Sequence, residues 1–258
     1  MEATIRLMTR AIAGILEGCD PSIYLLGSCT LQDFRPGWSD IDLLVLTRKA
    51  FTQEQAERLL HLRDSLPLSH PDACCARACE GGILPLDILT NGYPGIIVYW
   101  GTSGERLTDA YRFDSFSRWL LHRHGQLLYG ADVRCNIPIP TPSELHADVA
   151  QHLRTILDHG HGSVSLYTFG WLLDIARGLY TLQHDAVIAK TAAGEWALAE
   201  RLCPDEDALT LALAVRRDPS RMQEEAVRAR AAALTPAIRS FAAVLQQALT
   251  YRGIPIPD

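Results

Sequence analysis

Between Ile23 and Leu46 the chain reads IYLLGSCTLQDFRPGWSDIDLLVL. An apolar run ends at Gly27-Ser28, and an irregular loop with Pro36 and Gly37 follows. Asp40-Ile41-Asp42 then opens a second apolar run, Leu43-Leu44-Val45-Leu46. Short apolar runs bounded by turn residues are strand signals. Carboxylates at i and i+2 of a strand share a face, about 7 Å apart. Ile41 points the other way, into a core. Two aspartates placed this way repel each other, and a divalent cation is the usual reason to hold them together. Oxygen-only ligands suit Mg²⁺ or Mn²⁺. Gly27 allows close backbone approach, Ser28 adds a hydroxyl, and exposed N–H groups in such a turn suit a phosphate.

The flanking segments define a small α/β domain. Ile5, Met8, Ile12, Ile15 and Leu16 form a helical stripe over residues 3–18. Strands are expected at Ser22–Leu26 and Asp42–Thr47, and a helix at Gln53–Leu66, stopped by Pro67. Residues 67–82 read as loop. A third strand is expected at Ile83–Thr90, before the turn signal Asn91-Gly92. Asp87 lies among aliphatics in that strand, where a carboxylate is costly unless paired or metal-bound. If the third strand lies beside the second, Asp40, Asp42 and Asp87 converge on one cation.

Beyond residue 110 the pattern becomes helical: Phe113–His124, Pro142–His159, Ser163–His184, Lys190–Leu202, Asp205–Arg216 and Pro219–Tyr251. No strand is expected there. The Pro-rich Ile137–Pro142 is the linker candidate. Domains are therefore expected at 1–135 and 136–258.

The 258 residues allow two modest domains. A net charge of −6 without a long basic run argues against a dedicated nucleic-acid surface. No apolar segment approaches the ~20 residues that span a bilayer. The N-terminus carries Glu2 and no signal-peptide core, so a cytoplasmic location is expected. Seven cysteines read as thiols rather than as a disulfide framework. Cys74, Cys75 and Cys79, with His70 nearby, lack the regular second ligand pair of a zinc site.

The combination of strand, Gly-Ser, Asp-x-Asp, strand, helix and a strand with a third acid resembles the nucleotidyltransferase superfamily related to DNA polymerase β. Within it, LLGS and RPGWSDIDLLVL are similar to the aminoglycoside nucleotidyltransferases that modify streptomycin and spectinomycin. The likeness continues in Leu128–Asp132, in Pro138-Ile139-Pro140, in Ala176-Arg177 and Tyr180, and in Ile188–Ala197. The resemblance implies an α+β fold. A polymerase-β-like domain, a mixed sheet with helices, would precede an all-helical C-terminal domain.

The implied reaction transfers AMP from ATP to a hydroxyl of a small, cationic acceptor, an aminoglycoside or aminocyclitol, in an interdomain cleft. Two Mg²⁺ ions would bind Asp40, Asp42 and the triphosphate. Asp87 would be a third ligand or a general base. The family has a glutamate there, and the shorter Asp87 favours ligation. Gly27, Ser28 and Ser39 would hold phosphate oxygens, and Lys190 matches a family lysine that contacts them. No acid occurs in Gly162–Gly170, which leaves Asp174, Asp158 and Glu105 as candidates to meet a cationic acceptor. A monomer without nucleic-acid or membrane partners is expected. The alternatives are adenylylation of a protein partner and an ATP-binding module without turnover.

Overall fold

The structure, a computed structural model, describes residues 1–101 and 104–257. It divides into two compact units. One comprises Met1–Thr30 and Ser39–Ile139; the other comprises Leu31–Trp38 and the chain from Pro140 onward.

The first unit contains α1 (Glu2–Ile15), β1 (Pro21–Leu25), α2 (Gly27–Thr30), β2 (Ile41–Thr47), α3 (Gln53–Leu60), α4 (Leu62–Ser69) and β3 (Cys79–Pro85). It continues with α5 (Leu86–Asn91), β4 (Ile97–Gly101), β5 (Gly104–Thr108), α6 (Ser115–His124) and β6 (Gln126–Tyr129). The strands form one mixed sheet in the order β5-β4-β3-β2-β1-β6. β2 and β3 run parallel, joined through α3 and α4. The other neighbours are antiparallel.

β2 is central, and every residue in it is buried except Asp42. A strand covered on both faces reads as a continuous apolar run, so a carboxylate there stands out. Tyr24, Leu44, Leu46, Leu84 and Ile97 pack with Leu121 and Val133. Tyr24 keeps its hydroxyl satisfied, donating to Asp132 Oδ1 at 2.9 Å and accepting from the Val133 N–H at 2.6 Å. The expected stripe of α1 is buried throughout.

Five expectations need correction. The helix predicted over 53–66 is two helices with a break at His61, and Pro67 lies inside α4. A proline so near the end of a short helix forfeits only one hydrogen bond. The strand predicted over 83–90 instead spans Cys79–Pro85, and residues 86–91 are helical. Gly81-Gly82 suggested loop, yet both lie in β3. Gly81 has φ +139°, and a side chain there would meet the Leu43 carbonyl. At Gly82 the Tyr111 ring occupies the side-chain position, with Cζ 2.6 Å from where a Cβ would stand. Glycine within a strand often marks such close approach. β6 lies where only helices are expected, and β4 and β5 fill a stretch for which no element is expected. Finally, Pro219–Tyr251 is not one helix. A 3₁₀ turn, Pro219–Gln223, precedes α11 (Glu225–Ala232) and α12 (Thr235–Tyr251), whose start Pro236 marks.

The second unit is all-helical apart from its loops. α7 (Pro142–His159), α8 (Leu166–His184), α9 (Lys190–Ala199) and α10 (Glu206–Arg217) precede α11 and α12. Thr141 and Glu144 form a reciprocal cap at the start of α7, with Pro142 in its first turn. α8 is the hub, packing against α7, α9, α10 and α12. Phe169, Leu172, Leu173, Ile175, Ala176, Leu179 and Leu182 bury most of its circumference.

Candidate active site

The Gly-Ser bend and the second aspartate are brought together by the β1–β2 pairing. The Leu26 N–H donates to the Asp42 carbonyl at 2.9 Å, which sets Gly27 beside Asp42. Gly27 has φ +64°, and a Cβ there would overlap the Asp42 carboxylate, with Cγ only 2.6 Å away. Only glycine fits both the backbone conformation and the space. Ser28 follows at the start of the short α2, its Oγ donating to the Asp40 carbonyl at 3.5 Å. Asp40 is exposed just before β2, while Ser39 and Asp42 are half-buried. Burial pushes the Cys29 thiol up to about 11, and the Asp42 charge adds to the shift.

Asp87 is not part of this arrangement. It is exposed in the first turn of α5, where it accepts from Asn91 Nδ2 at 3.4 Å. A carboxylate is favourable there because it meets the positive end of the helix. The β2/β3 register pairs Thr47 with Pro85, so Asp87 lies past the end of β2 remote from Asp42. Five residues of strand separate Asp42 from that end, roughly 17 Å.

The residue paired with Asp42 is Glu80. Sequence reasoning missed it because Gly81-Gly82 hid the beginning of β3. A signal was available: extending the third strand backward to the length of β2 reaches Glu80. Like charges on directly paired strand positions are destabilising, so the register raises at Glu80 the same question that the sequence raised at Asp40 and Asp42. Among the described residues no group of three or more His, Cys, Asp or Glu side chains is gathered closely enough to hold a metal ion. Asp40, Asp42 and Glu80 nevertheless supply hard oxygen donors at adjoining strand positions. That donor chemistry fits a hard divalent cation whose remaining ligands come from a nucleotide.

In the helical unit, Lys190 is the first residue of α9, and its Nζ donates to Asp174 Oδ2 at 3.0 Å. Arg177 Nη2 donates to the other oxygen of Asp174 at 2.9 Å. His152 Nε2 lies 3.7 Å from Oδ2. Burial pushes the Asp174 carboxyl upward, but Lys190, Arg177 and His152 outweigh it and hold the group well below the usual carboxylate range. Burial depresses the Lys190 ammonium, and the Asp174 charge opposes this.

The three acids considered for a cationic acceptor each have a basic partner. Asp174 has this cluster, Asp158 accepts from Arg154 at 3.0 Å, and Glu105 lies 2.6 Å from Arg63. All seven cysteines are free thiols. Burial pushes Cys79 up to about 12. Among the described residues no helix is long and apolar enough to cross a membrane.

Residues 12–73 match the family model of the nucleotidyltransferase domain, a span that includes Gly27, Ser28, Asp40 and Asp42. The chain is thus an enzyme of the nucleotidyltransferase class. Residues 144–248 match the aminoglycoside adenylyltransferase C-terminal domain, and with this second match the family is that of the aminoglycoside nucleotidyltransferases. The fold is similar to a solved structure of spectinomycin adenyltransferase AAD(9) from Enterococcus faecialis with ATP and spectinomycin. The TM-score is 0.68 at 16% identity, over 95% of this chain and 99% of that one. No curated protein matches the chain.

Proposed function

We propose that the enzyme transfers AMP from ATP to a hydroxyl of a small, polycationic aminoglycoside or aminocyclitol. The observation that carries this reading is the Gly27-Ser28 bend packed against Asp42 in a chain whose second half matches the aminoglycoside adenylyltransferase C-terminal domain. The similar AAD(9) structure, which contains ATP and spectinomycin, supports the same choice of substrates.

Each residue has a role in this reading. Asp40, Asp42 and Glu80 would hold Mg²⁺, with Glu80 taking the place first assigned to Asp87. When bound, two such ions would neutralise the triphosphate and polarise the reacting phosphoryl group. The N–H groups at Gly27 and Ser28, with the hydroxyls of Ser28 and Ser39, would receive phosphate oxygens. Glu80 would accept the proton of the acceptor hydroxyl through a carboxylate oxygen. Lys190 would add positive charge at the nucleotide phosphates, with Asp174 keeping its ammonium oriented. Phosphoryl transfer of this kind depends chiefly on positioning and charge compensation.

The test is a mass-shift assay with the protein, ATP, Mg²⁺ and a panel including spectinomycin and streptomycin. The expected result is a gain of one AMP on at least one antibiotic, with pyrophosphate released in equal amount. No product from any acceptor, with labelled AMP appearing instead on a protein, would overturn the small-molecule reading.

A further inference from the structure

Residues Leu31–Trp38 connect Ser28 to Ser39-Asp40 along the chain, yet they belong to the helical unit. Their anchor is Asp33, only 3% exposed. Thr191 Oγ1 donates to Asp33 Oδ1 at 2.6 Å, and the Thr191 N–H donates to Oδ2 at 3.3 Å. Arg216 Nη2 donates to Oδ2 at 3.2 Å and to the Asp33 carbonyl at 3.0 Å. Arg35 lies 3.3 Å from Oδ1. The Arg216 guanidinium also sits 5.0 Å from the centre of the Trp38 ring, so one arginine meets the segment at Asp33 and again at its last residue.

This arrangement supplies something that α9 lacks. A helix start leaves N–H groups without intrahelical partners and carries partial positive charge. A side-chain oxygen at the N-cap normally satisfies one of them. The N-cap of α9 is Ala189, whose side chain makes no such bond. Thr191 is the second residue of the helix, and the carboxylate that accepts from its N–H is Asp33, 158 positions earlier in the chain. Burial pushes the Asp33 carboxyl upward, but the bonds from Thr191 and Arg216 outweigh this and keep it below its ordinary value, in the charged form. The neighbour of Thr191 is Lys190.

We propose that Asp33 is a positioning residue for nucleotide binding. By capping α9 from a distant part of the chain, it holds Lys190 at the helix start, in reach of Asp174. The same bonds order the segment that leads from the Gly-Ser bend to the aspartate pair. The proposal rests on the reading of Lys190 as a phosphate contact. An aspartate in the middle of a motif loop is then a structural tie between two motifs, and Thr191 and Arg216 are its receptors.

The test is titration of the full-length protein with ATP in the presence of Mg²⁺, with a thermal melt of each variant. Lys190→Ala should weaken ATP binding about tenfold. Thr191→Val, which puts a methyl group in place of the hydroxyl and so removes the shorter of the two bonds to Asp33, should weaken it about threefold; Thr191→Ser should restore it. In the Lys190→Ala background Thr191→Val should cost less than about 1.5-fold, because residues acting through one group are not additive. Asp33→Asn should behave like Thr191→Val but more strongly, with KM for ATP rising more than kcat falls. Should Asp33→Asn fail to fold, the Thr191 series decides. Equal factors for Thr191→Val with and without Lys190 would overturn the proposal and leave the Lys190 reading intact. Normal ATP affinity in Lys190→Ala would overturn that reading and the proposal with it.

Discussion

Asp42 and Asp174 both occupy places where a carboxylate is costly, and the known neighbours of the two differ. Around Asp174 stand Lys190, Arg177 and His152, so acid meets base and the cluster ties α7, α8 and α9 together. Beside Asp42 the register sets another carboxylate, Glu80, and the bare backbone of Gly27. The first arrangement compensates its charges internally. The second pairs two acidic positions across neighbouring strands, which is how oxygen ligands for a cation can be supplied.

The largest effect expected from this contrast is at Asp42. Asp42→Asn should lower AMP transfer by roughly 10³-fold, the scale of losing one essential electrostatic contact. Its melting temperature should stay level or rise, because a like-charge neighbour is relieved. Pyrophosphate release and a thermal melt check both halves, and a destabilised but active variant would break the comparison.

Asp174→Asn should do the reverse. It removes the buried carboxylate that the half-buried Lys190 and Arg177 face and should cost about 1–3 kcal/mol of stability. The linkage sign follows from the depressed carboxyl. Its stabilisation is complete above the unfolded aspartate value of 3.8 and drains away as pH falls from there toward the folded value. The stability gap between wild type and Asp174→Asn, measured by urea unfolding, should therefore be constant near pH 6 and narrow below about pH 4.

Glu80→Gln tests the register directly and should lower transfer roughly 10²-fold, the range of one general base. Asp87→Asn is the matching control and should change turnover by less than about twofold, as expected for an exposed helix-turn acid. A reversal of these two results would restore the third acid to α5.

Much of the fold was legible because its signals are local. The stripe Ile5, Met8, Ile12, Ile15 predicts α1, and the helical pattern from Pro142 to His159 predicts α7. Where glycine stood inside a strand, as at Gly81-Gly82, local chemistry pointed to a loop. Glycine's meaning there comes from Leu43 and Tyr111, which are distant in sequence. β5 and β6 are short strands made so by their pairing partners, whereas β4, with Ile97, Val98, Tyr99 and Trp100 in a row, carries a strand signal in its own composition.

The sequence alone determined the bend at Gly27-Ser28 and the Asp40/Asp42 pair, because a two-residue period and a glycine turn are written in consecutive residues. Only the tertiary structure decided which acid joins them and what caps α9. The Asp42–Glu80 pairing depends on a parallel register set across the α3–α4 crossover, and the Asp33–Thr191 bond spans 158 positions. Contacts of that range are chosen by packing of the whole chain, and no local periodicity encodes them.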